Sequence, residues 1–320
     1  GYNFSPDFVW LKDRASTNWH YLFDTIRGTE KAIFSNATNA EGTYANTLTA
    51  FNSDGFTLGS DNATNQNSNA YVAWAWDAGS STVSNTDGSI TTSVRANPSA
   101  GFSIVKASVA ASLTGGPTLG HGLNKKPEFI LGKNLDSTIY WYAYHKDLSD
   151  SHYLIPHLTS AQQNSGAVWG THSSLDSSIF RIGTGTPASM WIPSGTNDCI
   201  FYVWTSVEGY SAFGRFYGNS STDGVFQYCG FTPRWILLKR DDGSVDADWR
   251  IIDTARSPFN VADEELNANL SDAESTVTIA DILSNGFKMR TNANGINGGN
   301  YIIWAAFAEH PFSLNGGLAR

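Results

Sequence analysis

Charge is scarce in this chain: Asp, Glu, Lys and Arg make up only 15% of its 320 residues, and acidic side chains outnumber basic ones 29 to 20 for a net charge of −9. Nucleic-acid phosphates are held by clustered Lys and Arg, so this balance argues against a nucleic-acid partner. No stretch approaches the roughly 18 consecutive apolar residues of a membrane-spanning helix, and Gly1 to Asp13 lacks the layout of a signal peptide. No membrane insertion is expected. Only two cysteines are present, Cys199 and Cys229; they form either one disulfide or two small buried thiols, the second being what a reducing compartment would leave. The signatures of common catalytic centres are missing too. There is no G-x-S-x-G elbow, no H-E-x-x-H and no glycine-rich phosphate loop ahead of a helix. A glycosidase needs only two suitably separated carboxylates, so a polysaccharide-degrading protein is the enzymatic alternative. The leading expectation is nevertheless a non-enzymatic protein without a cofactor.

What is present is repetition. A proline opens the same apolar strand three times: Pro6-Asp7-Phe8-Val9-Trp10-Leu11-Lys12, Pro127-Glu128-Phe129-Ile130-Leu131-Gly132-Lys133 and Pro233-Arg234-Trp235-Ile236-Leu237-Leu238-Lys239. A tryptophan follows each (Trp19, Trp141, Trp249), and each copy closes on an aromatic strand ending at Trp74, Trp204 or Trp304. Self-similarity at a period of about 105 to 120 residues makes the chain an array of one module. Gly, Ser, Thr, Asn and Asp abound, 13% of residues are aromatic, and Leu/Ala/Glu/Lys periodicity is slight, which is the material of short strands and tight turns. The expected fold is therefore all-β: three tandem antiparallel, jelly-roll-like β-sandwich modules over residues 1–98, 99–209 and 210–320. Asp54-Gly55, Asp87-Gly88 and Asn285-Gly286 are expected to supply positive φ in hairpin turns. The opening strands are apolar on both faces, as in a central strand covered on both sides. One helix is expected, Val261 to Leu270, with Asp263, Glu264 and Glu265 in its first turn.

The second and third copies carry an extra strand upstream, Gly101 to Lys106 and Ala212 to Tyr217, whereas the first begins abruptly at Gly1. This leads to the expectation that the chain is a fragment whose first module takes its missing strands from elsewhere, such as a neighbouring chain.

The pattern Pro6-Asp7-Phe8-Val9-Trp10-Leu11-Lys12-Asp13-Arg14, with Trp19, Asp24-Thr25-Ile26-Arg27, Ser53-Asp54-Gly55-Phe56 and Tyr71-Val72-Ala73-Trp74, resembles an uncharacterised repeat domain of tailed-bacteriophage structural proteins, especially those of marine phages. The ending from Ala305 through Glu309-His310-Pro311-Phe312 to Arg320 is similar to the C-terminus of the same group. The resemblance is strongest in the first and third copies. It implies a location in the virion, as a tail fibre, spike or head appendage, with other virion proteins as partners, and it brings no catalytic residues. Fibres are often homotrimers, so a homo-oligomer, a trimer first, is the expected state.

Asp24-Thr25-Ile26-Arg27 recurs as Asp253-Thr254-Ala255-Arg256. Repetition favours a structural turn, with the Asp accepting backbone N–H groups and the Arg paired to a carboxylate; an Arg gripping an acidic sugar is the alternative. Aligning the three tryptophans sets Tyr140 against Asn18 and Asp248, and Tyr142 against His20 and Arg250. The polar sisters suggest water-facing positions, so Tyr140 and Tyr142 read as an exposed aromatic stripe, with Trp169 and Trp191 nearby. Host-surface glycan is one ligand for such a stripe; packing against a module or subunit is the other reading. His145, His152, His157 and His172 cluster in the same copy without a metal-ligand spacing, and read as surface hydrogen-bonding residues ahead of a zinc or iron site. Asp241, Asp242, Asp246 and Asp248 crowd one loop, which reads as a solvated acidic hairpin ahead of a calcium site.

Overall fold

The computed structural model describes residues 2, 4–113, 115–183, 188–243 and 247–308; Asp246 and residues 309–320 of the C-terminal motif lie outside them. The chain is all-β, its larger sheets antiparallel. The first sheet runs β4 (Gly42–Thr43), β3 (Lys31–Phe34), β2 (Tyr21–Asp24), β1 (Phe8–Asp13), β7 (Tyr71–Trp76), with the hairpin β5 (Leu48–Asn52) and β6 (Gly55–Leu58) beside it. In the second sheet the order is β13 (Tyr142–His145), β12 (Phe129–Asn134), β17 (Thr196–Trp204), β10 (Phe102–Ala110), β9 (Thr92–Asn97), β8 (Thr82–Asn85). Two short pairs accompany it, β11 (Thr118–Gly120) with β16 (Ile179–Arg181) and β14 (His152–Tyr153) with β15 (Gln163–Asn164). The third sheet has eight strands: β18 (Ser211–Tyr217), β25 (Tyr301–Phe307), β20 (Trp235–Arg240), β21 (Arg250–Asp253), β22 (Ala262–Asn267), β23 (Ser275–Leu283), β24 (Gly286–Met289), β19 (Phe226–Tyr228). It curls toward closure, with Trp304 Nε1 on β25 donating to Gln227 Oε1 on β19 at 3.2 Å.

The three proline-led strands β1, β12 and β20 are each walled on both sides, because successive side chains point to opposite faces. Phe8 and Trp10, Phe129 and Leu131, and Trp235 and Leu237 all enter one core shared by the three sheets. Val9 and Leu11, Ile130, and Ile236 and Leu238 face three separate outer cores. The ladder sets Trp76, Trp204 and Phe307 opposite the leading aromatics Phe8, Phe129 and Trp235. Those three residues meet in a triangle, with ring centroids 6.0, 6.4 and 5.6 Å apart. Trp74 and Trp304 are thus not the counterparts of Trp204: Trp74 lies opposite Trp10, and Trp304 lies opposite Leu238 on the outer face.

Side chains pass from sheet to sheet in a ring. Tyr202 of the second sheet donates its hydroxyl to Asp24 Oδ2 of the first at 2.8 Å, and Trp74 Nε1 of the first donates to Asp253 Oδ2 of the third at 3.0 Å. At the remaining corner Ala305 stands where Trp74 and Tyr202 stand, and His145 of the second sheet takes the place of the aspartates, its Nε2 lying 3.2 Å from the Trp304 carbonyl of the third. The sheets are therefore related by an approximate threefold arrangement within one chain.

Three expectations need correction. Residues 262–267 form a strand, not a helix. Glu265 is buried and reaches across to Arg250, with Arg250 Nη1 at 2.6 Å, so a cross-strand ion pair decides what the acidic composition left open. Gly55 and Gly286 sit in the ladder opposite Asn52 and Leu283, so the two-residue loops are Ser53-Asp54 and Ser284-Asn285 without a left-handed glycine. Gly286 is needed for a different reason: a Cβ there would lie 1.9 Å from the Gln227 carbonyl of β19. Finally, β8 and β9 pair into the second sheet, so the first sheet ends near Trp76, well before residue 98.

Candidate functional site

The repeated Asp-Thr-x-Arg segments are structural turns. Asp24 Oδ1 accepts from Ile26 N and Arg27 N at 3.0 and 2.9 Å, Oδ2 meets Arg27 Nε, and Arg27 Nη2 donates to the Leu22 carbonyl at 2.8 Å. Asp253 and Arg256 repeat every contact, with Arg256 Nε at 2.6 Å and Nη2 on the Ile251 carbonyl at 2.9 Å. Both pairs are buried. In the second sheet His145 holds the equivalent place as a neutral ring: Nδ1 accepts from Asp147 N at 3.2 Å, and burial drives its pKa down to about 3.

A second repeated feature shows in the sequence only as a recurring lysine, with nothing to mark its burial, because lysine is ordinarily solvated. Lys12, Lys133 and Lys239 close the three proline-led strands and are all fully buried. Each ammonium is held by carbonyls: Lys133 Nζ by Asn134 and Ser137 at 2.8 and 3.2 Å, Lys239 Nζ by Arg240 and Thr159 at 2.7 and 3.1 Å. Burial lowers the pKa of Lys133 and of Lys239 from 10.5 to about 7, and that of Lys12 to about 8. An unfolded lysine keeps its proton throughout this range, so the unfolded state binds more protons and stability rises with pH. The melting temperature is accordingly expected to climb between pH 7 and 9, and Lys133→Met to flatten the climb; a melting temperature that falls over that window contradicts the assignment.

Of the four aromatic residues singled out in the second copy, the structure leaves one at the surface. Tyr140 is 47% exposed, its ring edge-on to His157 at 4.9 Å. Tyr142 is only 3% exposed; it packs on Trp191 and Tyr153, and its hydroxyl donates to the Met190 carbonyl at 3.2 Å. Trp169 and Trp191 are buried in the same outer core, with Trp191 Nε1 donating to the Val168 carbonyl at 2.8 Å. The cause is register. The ladder sets Tyr21, Tyr142 and Arg250 opposite Leu11, Gly132 and Leu238, and all three are buried. Trp141 and Trp249 correspond to His20, which accepts from Trp10 Nε1 at 2.9 Å, while Tyr140 corresponds to Trp19 and Asp248. Alignment on the tryptophans was one residue out in the first copy, and one residue exchanges the two faces of a strand. Trp19, 39% exposed, is the true sister of Tyr140.

The histidines are not a surface set. His145 and His172 are buried, and His172 Nε2 sits 2.9 Å from the His152 carbonyl. Among the described residues, no group of three or more His, Cys, Asp or Glu converges as metal ligands. The acidic loop is likewise dispersed. Asp241 is buried against Arg215 (2.7 and 3.0 Å), Asp242 faces Arg240, and Asp248 accepts from Asn269 at 2.7 Å. Cys199 and Cys229 are free thiols in two different outer cores.

Exposed aromatics do gather at the junction of the second and third sheets, at the ends marked by Lys133 and Lys239. Tyr217 and Tyr301, 56% and 42% exposed, lie opposite one another on β18 and β25 with rings 4.9 Å apart. The Arg215 guanidinium stacks 3.9 Å above Tyr301 while its nitrogens hold Asp241. The segment 157–162 spans the gap to Tyr140: the Thr159 carbonyl accepts from Lys239, and Gln162 N donates to the Asp241 carbonyl at 2.8 Å. Neither Tyr217 nor Tyr301 stood out in the sequence, since nothing there tells that their strands outrun the core. Alternation along Tyr301, Ile303, Ala305 and Phe307 places Tyr301 on the core-facing side, where it lies past the last core contact.

An all-β protein with three antiparallel sheets around a common aromatic core, and an aromatic rim at one junction, is the class these features define. The chain belongs to the family described as a domain of unknown function (DUF7483), whose model matches residues 1–311. Searches of curated proteins and of solved structures found no match.

Proposed function

We propose that the chain is a non-enzymatic part of a bacteriophage virion, a tail fibre or comparable appendage built of three tandem β-sandwich modules, and that it meets host-surface glycan through the rim of Tyr140, Tyr217 and Tyr301. The observation that carries this is the stack of Arg215 on Tyr301 beside Tyr217, exposed yet fixed from behind by buried Asp241. Sugar rings present C–H faces to aromatic rings, and cationic donors beside those rings take the hydroxyls. The sequence motifs supply the virion setting. Each proline-led strand also walls an outer core of its own, which is what a modular sandwich requires.

The test is binding of the purified chain to a glycan and whole-cell panel, with the Tyr217→Ala/Tyr301→Ala double variant and Tyr140→Ala beside it. Binding is expected to fall at least tenfold in the double variant, while each exposed site changes stability by no more than about 0.5 kcal/mol. A well-folded chain that binds nothing favours a second reading, a structural virion component with the rim as a subunit contact. The burial of Tyr142, Trp169 and Trp191 is the observation on that side. Release of reducing ends from host polysaccharide would turn the assignment to a degrading spike.

A further inference from the structure

The strands that close the three proline-led ladders are not treated alike. β17 lies between β12 and β10, and β25 between β20 and β18, whereas β7 has β1 as its only paired strand among the described residues. Asp7 N donates to the Trp76 carbonyl at 2.9 Å and Arg14 N to the Ala70 carbonyl at 2.8 Å. Backbone groups alternate sides along a strand, so those of Tyr71, Ala73 and Ala75 point away from β1. One of these outward groups is met: the Ala73 carbonyl accepts the Tyr2 hydroxyl at 3.0 Å.

Natural sheet edges are usually protected by charge, proline, a bulge or brevity. At the other edges of the three sheets, β18 carries Arg215, β4 and β19 have two and three residues, β8 is the four-residue Thr-Val-Ser-Asn, and β13 is met by Leu154, which exchanges both backbone hydrogen bonds with Ala143. β7 is Tyr-Val-Ala-Trp-Ala-Trp, six residues with no charge and no proline, paired to β1 without a register shift.

We infer that the outer edge of β7 is an acceptor site for an antiparallel peptide strand of the repeat's own edge type, supplied by another polypeptide segment. β10 and β18 define what fits. Trp74 corresponds to Tyr202 and Ala305, which face Ile104 and Phe213, and Ala75 corresponds to Val203 and Ala306, which face Ser103 and Ala212. The occupant therefore carries a bulky apolar residue opposite Trp74 and a small residue opposite Ala75. Main-chain hydrogen bonds supply the affinity and these alternate side chains the register. The inference stands apart from the glycan reading, since β7 contributes nothing to the aromatic rim.

The experiment is amide hydrogen exchange on the whole chain, titrated with a synthetic peptide of the β10 sequence, Gly101 to Ala111. Exchange at Tyr71, Ala73 and Ala75 is expected to be fast in the free chain and to slow at least tenfold with saturation. A peptide N-methylated at the positions that would face β7 should have no effect. Ala73→Pro removes an outward N–H without touching the ladder to β1 and is expected to abolish the protection; should that variant misfold, the N-methylated peptide gives the same discrimination on the unaltered chain. The inference is overturned if these amides are already protected in the monomer, if they stay fast at saturating peptide, or if protection grows with chain concentration alone and resists the peptide.

Discussion

Alanine in place of Trp76 is expected to cost about 3–5 kcal/mol and to bring down all three sheets in one transition. Trp76 is a residue of the first sheet, yet its ring lies 5.3 Å from Phe8, 6.0 Å from Trp204, 5.7 Å from Trp235 and 5.6 Å from Phe307. The void left by an indole at that point would be lined by all three sheets, and none could refill it alone. Such a loss is a large share of the roughly 5–15 kcal/mol that a folded protein has in hand. Denaturant unfolding read by hydrogen exchange in β1, β12 and β20 separately provides the check. Coincident transitions, shifted together by the variant, agree with one shared core; a first sheet that melts while β12 and β20 stay protected does not.

Asp24→Ala is expected to lose a similar amount, about 3–5 kcal/mol, for an electrostatic reason. The aspartate and Arg27 are both fully buried, and Asp24 also serves two turn amides and the Tyr202 hydroxyl from the second sheet. Removing the carboxylate strands the guanidinium in the interior, with Glu41 at 3.3 Å as its remaining ion-pair partner. Asp24→Asn retains an acceptor for the amides and should lose less. The Asp24→Leu/Arg27→Leu double variant carries no stranded charge and should recover part of the alanine loss. Equilibrium unfolding of the three variants at pH 7 settles the order, and a loss below about 1 kcal/mol for Asp24→Ala would falsify the buried-pair account.

The two-sided burial of Phe8 to Leu11 was legible because apolar side chains at consecutive positions leave no face for water. The Asp-Thr-x-Arg turns were legible as well, since Asp reaches the amides two and three residues on whatever the surroundings. Register was not. The first copy has one residue more between its tryptophan and Asp24 than the third has between Trp249 and Asp253, and that offset set Tyr142 against the polar His20 in place of its sister Tyr21. Polarity misled in the same place, because His20 and Arg250 are buried with partners, Trp10 and Glu265, that come from other strands. The burial of the lysines escaped notice for a related reason: the Ser137 carbonyl that helps hold Lys133 belongs to the turn after its strand, and one that holds Lys239 belongs to Thr159, in the loop between β14 and β15. The rim of Tyr140, Tyr217 and Tyr301 depends on where strands end relative to the core, which no spacing encodes.

The ring of three sheets resembles a trimer whose subunits have been joined into one chain, and joining has an effect on variation. In a true homotrimer every loop appears three times, so an enlargement tolerated at one corner must be tolerated at all. Here each corner can drift alone. Ala305 and His145 have replaced the aromatic-to-aspartate contact found at the other two corners, and the excursion from Lys146 to Gly195 carries His157 to the edge of Tyr140, whereas its counterparts in the first and third sheets fold into β3 to β6 and β22 to β24. A specialised surface can arise on one side of such a ring while the other two sides keep the scaffold unchanged.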